Sequence, residues 1–384
     1  MNLLKATLLL ISSLTVMAGA TVAPALPMMR DFFSDYPNAD LLTRLVITMP
    51  ALFIALFSPV AGWLLDTYSK KKLLLITILI YALAGASGLL LNNLYHILIS
   101  RAVLGIAVSI IMTGATALVG DYLEGKERME FLGMQGAFMA FGGTIFVSIA
   151  GYLAGMSWRY PFGVYLAALL IFGLSAKVLY EPKKEAVDQN MAGGEKQSEK
   201  NIRPLQYLIY STIFLGMVLF YIIPVQSPFL LEELGAKKGL MTSMGLIVGT
   251  FCAAVASFFY NHIKRRLHFH QIYAILFFMF GAGFICIGFT ESIGQVIVYT
   301  AFACAGIGLL MPNTSLYLLS LSQAHNRGRI MGGMTGAVFL GQFCSPIALQ
   351  PIVNQVGLLE AHIYAGGFSV LLGLLYLFYY LQKR

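Results

Sequence analysis

The stretch EPKKEAVDQNMAGGEKQSEKNIR, residues 181–203, is the longest polar segment in a chain of 384 residues. It mixes charges of both signs and carries a Gly-Gly pair, as flexible linkers do. On both sides of it the sequence is apolar, and in the whole chain 58% of residues are hydrophobic and 11% charged, against about 25% charged in soluble domains. We therefore predict an N-terminal bundle at residues 1–180, a linker at 181–203 and a C-terminal bundle at 204–384.

The apolar runs in each half are long enough to cross a membrane, since a transmembrane helix needs about 20 apolar residues. Turn and charge signals divide the hydropathy pattern into six runs before the linker and six after it. The sequence thus predicts an all-α membrane protein of twelve transmembrane helices, with no soluble domain. The predicted spans cover residues 5–28, 42–65, 73–92, 96–120, 131–154, 160–180, 205–231, 239–260, 269–289, 294–320, 329–353 and 359–381.

The positions of the basic residues predict the orientation of these spans. With the N-terminus inside, 19 of the 25 Lys and Arg residues lie in cytoplasmic segments, and only five lie outside: Arg30, Arg44, Arg159, Lys237 and Lys238. Such a bias orients spans during insertion. We expect a multi-pass protein of the cytoplasmic (inner) membrane with both termini and the linker in the cytoplasm, so that the net charge of +8 faces membrane lipids rather than nucleic acid.

Enzyme, metal and cofactor sites have no matching pattern in the sequence. His262, His268 and His270 share one basic loop but do not predict a metal site, and there is no phosphate-binding glycine loop, catalytic triad or HExxH motif. The first 27 residues resemble a secretory signal, but their apolar run is too long, so we expect them to remain as the first span. The four cysteines lie in apolar runs and are interpreted as small core residues: Cys252, Cys286, Cys304 and Cys344.

A short internal repeat supports two equivalent halves. GMQGA at 133–137 and GMTGA at 333–337 each begin within the first five residues of a span that follows a basic loop. Both copies open the fifth helix of their half, as two parallel six-helix repeats require. We expect the glycines of these two helices to allow close helix packing: Gly133, Gly136, Gly142, Gly143, Gly151, Gly155, Gly332, Gly333, Gly336 and Gly341.

The loop between the second and third spans reads GWLLDTYSKKKLL, residues 62–74. It resembles the signature loop of the major facilitator superfamily, Gly-x-Leu-Ala-Asp-Arg-x-Gly-Arg-Lys-x-x-Leu. Lys70 keeps the charge of that pattern, whereas Leu65, Thr67 and Ser69 replace its Ala, Arg and Gly. The matching residues are Gly62, Leu64, Asp66, Lys71 and Leu74.

Three further stretches of the N-terminal half resemble the same superfamily. Arg101 followed by Gly105 is similar to its fourth-helix motif, and the residues WRYPF at 158–162 are similar to the turn before its sixth helix. The residues APALP at 23–27 resemble the first-helix signature of the twelve-span drug and metabolite efflux branch. The late fifth-helix motif of antiporters in that branch, Gly-Pro-x-x-Gly-Gly, is reduced to a single glycine in the stretch 146–151.

The resemblance implies a secondary transporter that exports a drug-like or amphiphilic small molecule by alternating access, as a monomer and without a cofactor. The reduced fifth-helix motif leaves open a proton-coupled importer, and a membrane receptor or enzyme is a remote alternative. Protons are a candidate coupling ion, but no Asp or Glu lies in the middle of a predicted span. Asp31, Glu232 and Glu233 at span margins are interpreted as solvated loop charges.

Two groups of charged residues are candidates for the conformational cycle. By resemblance, Gly62, Asp66, Lys70 and Asp121 form a latch that holds the cytoplasmic ends together against span eleven. The alternative is a solvated loop whose lysines only set the topology. Arg101 is interpreted as the sole ionisable residue well inside a span, and such residues are costly enough to mark function. The resemblance favours Arg101 facing the cavity as a coupling residue, and the alternative is that it snorkels to the outer headgroups.

The substrate cavity is expected, by resemblance, between spans one, four, seven and ten, with help from five, eight and eleven. Methionines and aromatic residues would suit a pliable apolar site, although lipid contact explains most of them equally well. Interhelical hydrogen bonding is the alternative for the polar residues at suitable depth. These candidates are Thr21, Gln135, Tyr221, Gln226, Asn313, Thr314 and Gln342.

Overall fold

The computed structural model describes residues 3–182, 199–237, 239–322 and 326–382. Within these ranges the chain folds into α-helices with short 3₁₀ turns, and no strand occurs. The prediction of an all-α protein is confirmed. Most of the predicted linker at 181–203 lies outside the described residues, as do Lys238, Lys383 and Arg384.

Twelve helical spans follow one another in the described ranges. Eleven are long and apolar enough to cross a membrane, and in the remaining one, span 5, the apolar part is the shorter run Gly142–Ala154. Numbered 1 to 12 in chain order, the spans are Leu3–Phe32, Ala39–Thr67, Lys70–Leu89, Leu94–Tyr122, Gly125–Ala154, Tyr160–Val178, Arg203–Glu233, Leu240–Lys264, Phe269–Ile287, Ile293–Leu321, Arg327–Val356 and Leu358–Gln382.

The observed helices differ most from the expected spans where polar residues open a helix. Span 5 begins at Gly125 rather than at 131, and the helix of span 7 begins at Glu199 rather than at 205. Hydropathy marks only the apolar core of a span, whereas a helix can continue into water because its backbone bonds are internal. Span 2 begins at Ala39, which places Arg44 more than one turn inside the helix.

Span 1 is broken near its end by the sequence APALP. The helix Leu3–Ala20 stops there, a 3₁₀ turn covers Ala23–Ala25, and a second helix runs over Leu26–Phe32. Pro24 and Pro27 cause the break because proline has no amide hydrogen to continue the helical ladder. The break lies among buried residues, where it brings span 1 close to span 7.

Two hydrophobic clusters form the core. One consists of buried residues from spans 1 to 6. The other consists of residues from spans 7 to 12, together with Ala23, Leu26, Ile47 and Val147 of the first six spans.

The four cysteines are free, and only Cys304 is buried. The interpretation of all four as core residues is therefore wrong for Cys286, which is exposed on span 9.

The two sets of six spans meet along three helix pairs, because span 2 packs on span 11, span 5 on span 8, and span 1 on span 7. Alternation of the spans gives the bundle two ends. We call them the termini side, which carries Leu3 and Gln382, and the far side, which carries Phe32 and Glu233. The space between the two sets of spans contains the cavity described below.

Candidate functional site

A cavity of about 550 Å³ lies between the two sets of six spans. This volume falls within the roughly 300–1,000 Å³ that is typical of small-molecule sites. Span 2 contributes to the wall in addition to the seven spans expected from the resemblance. The wall residues of the first six spans are Thr15, Val16, Ala18, Gly19, Ile47, Pro50, Ala51, Ile54, Met112 and Met139.

The second set of spans supplies the larger part of the cavity wall. Six methionines in total line the cavity, four of them from spans 7, 10 and 11. The unbranched, polarisable thioether lets such a wall adapt to ligands of different shape. The wall residues of these spans are Met217, Phe220, Tyr221, Pro224, Leu246, Thr250, Met311, Ser315, Met331, Met334, Thr335, Val338, Phe339 and Gln342.

Two polar side chains of the wall have no hydrogen bond to another described residue: the amide of Gln342 and the hydroxyl of Tyr221. Gln342 is 8% exposed and Tyr221 is equally buried. The hydroxyl groups of Thr15 and Thr335 instead donate to carbonyl oxygens of their own helices, over 2.7 and 3.1 Å. The amide and the phenol are therefore the polar groups with capacity for a ligand.

Tyr221 and Gln342 are the only two of the seven expected cavity residues found on the described wall. Asn313 and Thr314 lie instead in the core of the second set of spans, where Tyr260 donates to Asn313 over 3.1 Å and Tyr273 lies 2.9 Å from the hydroxyl of Thr314. Their assignment to the cavity wall is wrong in this conformation, because they face span 8 and span 9 rather than the first six spans.

Thr21 and Gln135 are also absent from the described cavity wall. The hydroxyl of Thr21 donates to the carbonyl of Met17 on its own helix. The amide of Gln135 donates to Ser12 Oγ over 2.6 Å and so joins span 5 to span 1. Gln135 thus follows the alternative explanation, interhelical hydrogen bonding, whereas the hydrogen bond of Thr21 lies within span 1.

Gln226, the remaining member of the expected set, lies in a seal above the cavity on the far side. Arg44 Nε donates to Gln226 Oε1 over 2.9 Å, across the boundary between the two sets of spans. The guanidinium of Arg44 also stacks on Phe229, 4.0 Å from the ring centre. Since the Arg44 side chain is 3% exposed, this contact excludes water from the far end of the cavity.

The seal continues on both sides of Arg44. Asp40 accepts from Arg44 Nη1 through its carbonyl at 2.8 Å and its carboxylate at 3.2 Å. Gln226 in turn donates to Gln350 over 3.4 Å, and Gln350 donates to Asn354 over 2.8 Å. Side chains of spans 2, 7 and 11 thus form one hydrogen-bonded chain across the far side.

An ion pair reinforces this closure. Arg30 Nη2 lies 3.5 Å from a carboxylate oxygen of Glu232 and 2.8 Å from that of Asp31. The interpretation of Glu232 as a solvated loop charge is therefore wrong, because the helices of spans 1 and 7 bring it into contact with Arg30. Asp31 also pairs with Arg30, but 45% of its side chain stays exposed, as expected for a solvated charge. The Glu232 side chain is only 20% exposed.

On the termini side, the loop 62–74 brings three charged residues together. Lys70 Nζ lies 2.7 Å from Asp121 Oδ2, which joins span 3 to span 4. Glu181 accepts from the Ser69 hydroxyl at 2.5 Å and from the amides of Lys70 and Lys71 at 2.9 and 3.0 Å. Glu181 therefore binds the N-terminus of span 3, where unpaired amides favour a negative charge.

These contacts change the acidity of Glu181. Partial burial works against ionisation, but the hydrogen bonds from Ser69 and from the amides of Lys71 and Lys70 outweigh it and lower the pKa of Glu181.

Asp66, the acid expected to act in the latch, is exposed and makes no hydrogen bond or ion pair with another described residue. Gly62 has no neighbour within 4 Å of the position a Cβ would occupy.

Arg101 lies inside the first set of spans and is 1% exposed. Its Nη2 donates to the carbonyl oxygens of Ala84 and Gly85 at 3.1 and 2.5 Å. Phe162 and Tyr165 flank the guanidinium, with ring centres at 4.8 and 5.0 Å. Arg101 neither snorkels to a headgroup region nor lies on the described cavity wall. The expected cavity-facing orientation is wrong here, since the carbonyls of span 3 and the rings of span 6 hold the side chain.

Gly105, four residues after Arg101, allows span 4 to pack closely on span 2. A Cβ at Gly105 would lie 2.4 Å from the carbonyl oxygen of Pro50, so only glycine lets span 4 approach span 2 at this depth. Four of the ten expected packing glycines, by contrast, have open space at the Cβ position: Gly133, Gly136, Gly332 and Gly336. The expectation of close packing is wrong for these four in this conformation.

A sequence model of the Major Facilitator Superfamily matches residues 8–268 and again residues 208–384, which together cover nearly the whole chain. The chain belongs to the Major Facilitator Superfamily. Members of this superfamily are transporters rather than enzymes, so the protein is a multi-pass membrane transporter of the secondary type.

Curated relatives of this superfamily protein include multidrug resistance protein 1 of Bacillus subtilis, 26% identical over 300 residues that cover 76% of the chain and 75% of the relative. The quinolone resistance protein NorA of Staphylococcus aureus is 24% identical over 204 residues, which cover 52% of the chain and half of NorA. The solved D-xylose-proton symporter superposes with a TM-score of 0.77 at 14% identity, over 97% and 96% of the two chains. That likeness shows the superfamily fold alone.

Sequence reasoning missed Arg44 and Glu181 in this superfamily protein. Arg44 was grouped with the outside charges because it stands near the predicted start of span 2, and its partner Gln226 is 182 residues away in sequence. Glu181 was assigned to the linker. A usable signal existed for Arg44, because a lone arginine within an apolar run marks a candidate functional residue.

Proposed function

We propose that this protein exports amphiphilic, drug-like small molecules by alternating access. The observation that carries the proposal is the cavity of about 550 Å³, which both sets of spans line and to which six methionines contribute. Such a wall repacks around varied ligands and so favours broad selectivity. The names of the Bacillus and Staphylococcus relatives, which refer to drug resistance, agree with this substrate class.

The proposed orientation places both termini and the linker in the cytoplasm of a cell with an inner membrane. The 19-to-5 distribution of basic residues supports it. In this orientation the Arg44–Gln226 seal closes the external side, and the cavity would receive its substrate from the cytoplasmic side or the inner leaflet. Residues 1–180 and 204–384 are proposed to move as two bundles around the cavity.

The loop 62–74 is proposed to act in the cycle as a latch with Asp121. The Lys70–Asp121 contact of 2.7 Å joins span 3 to span 4 and so supports a fixed position of this loop from which it could meet span 11, and Glu181 contributes as the acid that holds the N-terminus of span 3. Asp66 would find its partner only when the cytoplasmic ends approach each other. Arg101 is proposed as a positioning residue, since its hydrogen bonds tie span 4 to span 3.

A proton-coupled importer is the second candidate function. The stretch 146–151 favours it, because it retains a single glycine where drug antiporters of the resembling branch have three. Import and export by the same fold differ only in how proton and substrate binding are coupled to the conformational change, so direction must be measured.

The test is transport in proteoliposomes that expose the cytoplasmic side to the medium, with a ligand found by thermal-shift screening of the purified protein. Proton antiport predicts that an acidic lumen drives ligand uptake, because protons leave as the ligand enters. Proton symport predicts ligand loss from a preloaded acidic lumen. Ligand loss under that gradient would overturn the proposal of export.

Orientation has its own test on a cysteine-free background. A cysteine placed at Gly194, in the predicted linker, is expected to react with a membrane-impermeant reagent only after the cytoplasmic side is exposed. A cysteine in place of Leu90, which is 85% exposed between spans 3 and 4, serves as the matched external control. Labelling of the Gly194 position in intact cells would contradict the proposed topology.

A further inference from the structure

The wall of the central cavity is electrically neutral. Each residue that the structure describes on it carries an uncharged side chain: aliphatic groups, thioethers, phenyl rings, a phenol, hydroxyls and one carboxamide. Four hydroxyl groups of the wall have acceptors for their protons within the protein. The polar capacity of the wall therefore lies mainly in the Gln342 amide and the Tyr221 phenol.

Among the Lys, Arg, Asp and Glu residues that the structure describes, those that are buried, Arg44 and Arg101, are positive. Arg44 is 2% exposed and lies one helical turn from Ile47, which lines the cavity, and Gln226, its partner, follows the wall residue Pro224 by two positions. Asp40, the carboxylate that pairs with Arg44, is 56% exposed and so is screened by solvent. The interior next to the cavity thus carries a cation whose counter-charge lies in water.

The aromatic ring closest to the seal is already used by the protein. Phe229 faces Arg44 at 4.0 Å and Arg30 at 5.3 Å. A ligand cation in the cavity would be left with thioethers and with the rings of Phe220, Tyr221 and Phe339. Ring and thioether contacts are weaker than a carboxylate counter-ion, and a buried charge without a counter-ion is strongly disfavoured.

We infer that the central cavity binds electrically neutral lipophilic molecules that carry a hydrogen-bonding group, and that it discriminates against organic cations. The neutral wall accepts the apolar body of the ligand, and the Gln342 amide satisfies one polar group, which would otherwise be buried without a partner. This inference rests on the proposed transport function and narrows its substrate class.

The test compares two probes of one shape. Triphenylphosphine oxide is neutral and has one strong hydrogen-bond acceptor, whereas methyltriphenylphosphonium has the same three rings and a permanent positive charge. Binding to the purified full-length protein is measured with radiolabelled probes. We expect the wild type to bind the neutral probe at least about tenfold more tightly, which corresponds to about 1.4 kcal/mol.

Gln342→Glu tests whether the charge of the wall sets this preference. The substitution is nearly isosteric and places a carboxylate on the cavity wall, so binding of the phosphonium should strengthen by about tenfold or more while the neutral probe weakens. Gln295→Glu is the matched control, because Gln295 is exposed at the far end of span 10. It introduces the same charge outside the cavity and should leave both affinities unchanged.

Three results would overturn the inference: tighter binding of the phosphonium by the wild type, no binding of either probe, or equal effects of Gln342→Glu and Gln295→Glu. A preference for the phosphonium would leave export itself intact, because organic cations are also drug-like. The direction of transport in proteoliposomes decides export separately, so the two proposals can fail independently. If Gln342→Glu does not fold, Gln342→Leu should still weaken the neutral probe without improving phosphonium binding.

Discussion

The two ends of the bundle are held together in different ways. On the far side, Arg44 and Arg30 of the first six spans contact Gln226 and Glu232 of the second six. On the termini side, the ion pairs Lys5–Glu127 and Lys70–Asp121 each join helices within the first six spans. The far side is thus closed by contacts between the two sets of spans, whereas these pairs on the termini side stiffen one set.

This difference between the two ends indicates which contacts must break and form during transport. Under the proposed movement of the two bundles, contacts within one set of spans can persist through the cycle. Contacts between the sets must break on one side and form on the other. The glycines with open space, Gly133 and Gly136 on span 5 and Gly332 and Gly336 on span 11, lie near the termini side and are candidates for the surfaces that meet when that side closes.

Arg44→Ala should have the largest effect on the difference between the two ends, because it weakens the closed far side. It removes a buried charge-assisted hydrogen bond and a cation–π contact that together stabilise the closed far side by about 2–3 kcal/mol. The equilibrium should shift toward far-side opening by about 30- to 160-fold. Distances between spin labels at the far ends of spans 2 and 7 would measure this shift.

Arg159→Ala is the matched control for that experiment. Arg159 also lies on the far side, but it donates to the Leu91 carbonyl at 2.8 Å and to Asn92 at 2.5 Å within the first six spans. Its loss should leave the distance distribution unchanged. An equal shift of the label distances in both variants would show that any destabilisation of the far side opens it. The Arg44–Gln226 contact would then have no specific role in closing it.

Arg101→Lys should have a smaller effect, and it should change the stability of the protein rather than the closure of the far side. Arg101 holds span 3 by two hydrogen bonds from one nitrogen and stacks between two rings, and a lysine ammonium cannot reproduce that planar arrangement. We expect a loss of about 1–2 kcal/mol in unfolding free energy without a change in the far-side distances. Unchanged stability combined with lost transport would instead favour the direct coupling role that the sequence suggested.

The sequence predicted the fold well because membrane helices are marked by length, hydropathy and charge bias, and these signals are local. The five-residue repeat, GMQGA and GMTGA, predicted that span 5 and span 11 are equivalent helices of the two sets. The APALP sequence was recognised as a family signature, but the break of span 1, where proline interrupts the helical ladder, was not predicted.

The candidate site was harder to predict, because depth in the membrane does not determine which way a side chain points. Gln135 and Thr335 occupy equivalent positions of the repeat, but one bonds Ser12 and the other lines the cavity. Asn313 and Thr314 are adjacent to wall residues but turn toward span 8 and span 9. A single sequence carries no record of such pairings, which depend on residues far apart in the chain.

Gly336→Leu tests the role assigned to open space on the termini side. No described atom lies within 4 Å of a Cβ at this position, so thermal stability in the present conformation should change by less than about 2 °C. Closure of the termini side should become harder, with transport reduced by about fivefold, equivalent to about 1 kcal/mol. Wild-type transport would remove Gly336 from the closing surface.

Gly294→Leu and Gly341→Leu provide two controls for this prediction. Gly294 also has open space but lies at the far side of span 10, so its variant should transport normally. Gly341 would place a Cβ 2.4 Å from the Phe214 carbonyl oxygen, so its variant should be destabilised by overpacking.

Glu181→Gln should have the smallest effect, since the carboxylate is exposed and acts within one set of spans. Its pKa is lowered from the ordinary value of 4.5, so the ionised form is favoured in the folded protein. The stabilisation is therefore present above that ordinary value and is lost as the pH falls through the lower folded-state pKa. Glutamine can still accept one hydrogen bond from Ser69 but lacks the charge that the amides of Lys70 and Lys71 favour. We expect the variant to melt about 1 °C below the wild type at pH 7. The difference should shrink as the pH falls below 4.5 and vanish below the folded-state pKa. The far-side distances should remain those of the wild type at both pH values, and a shift in them would show that the termini-side acid also controls the seal.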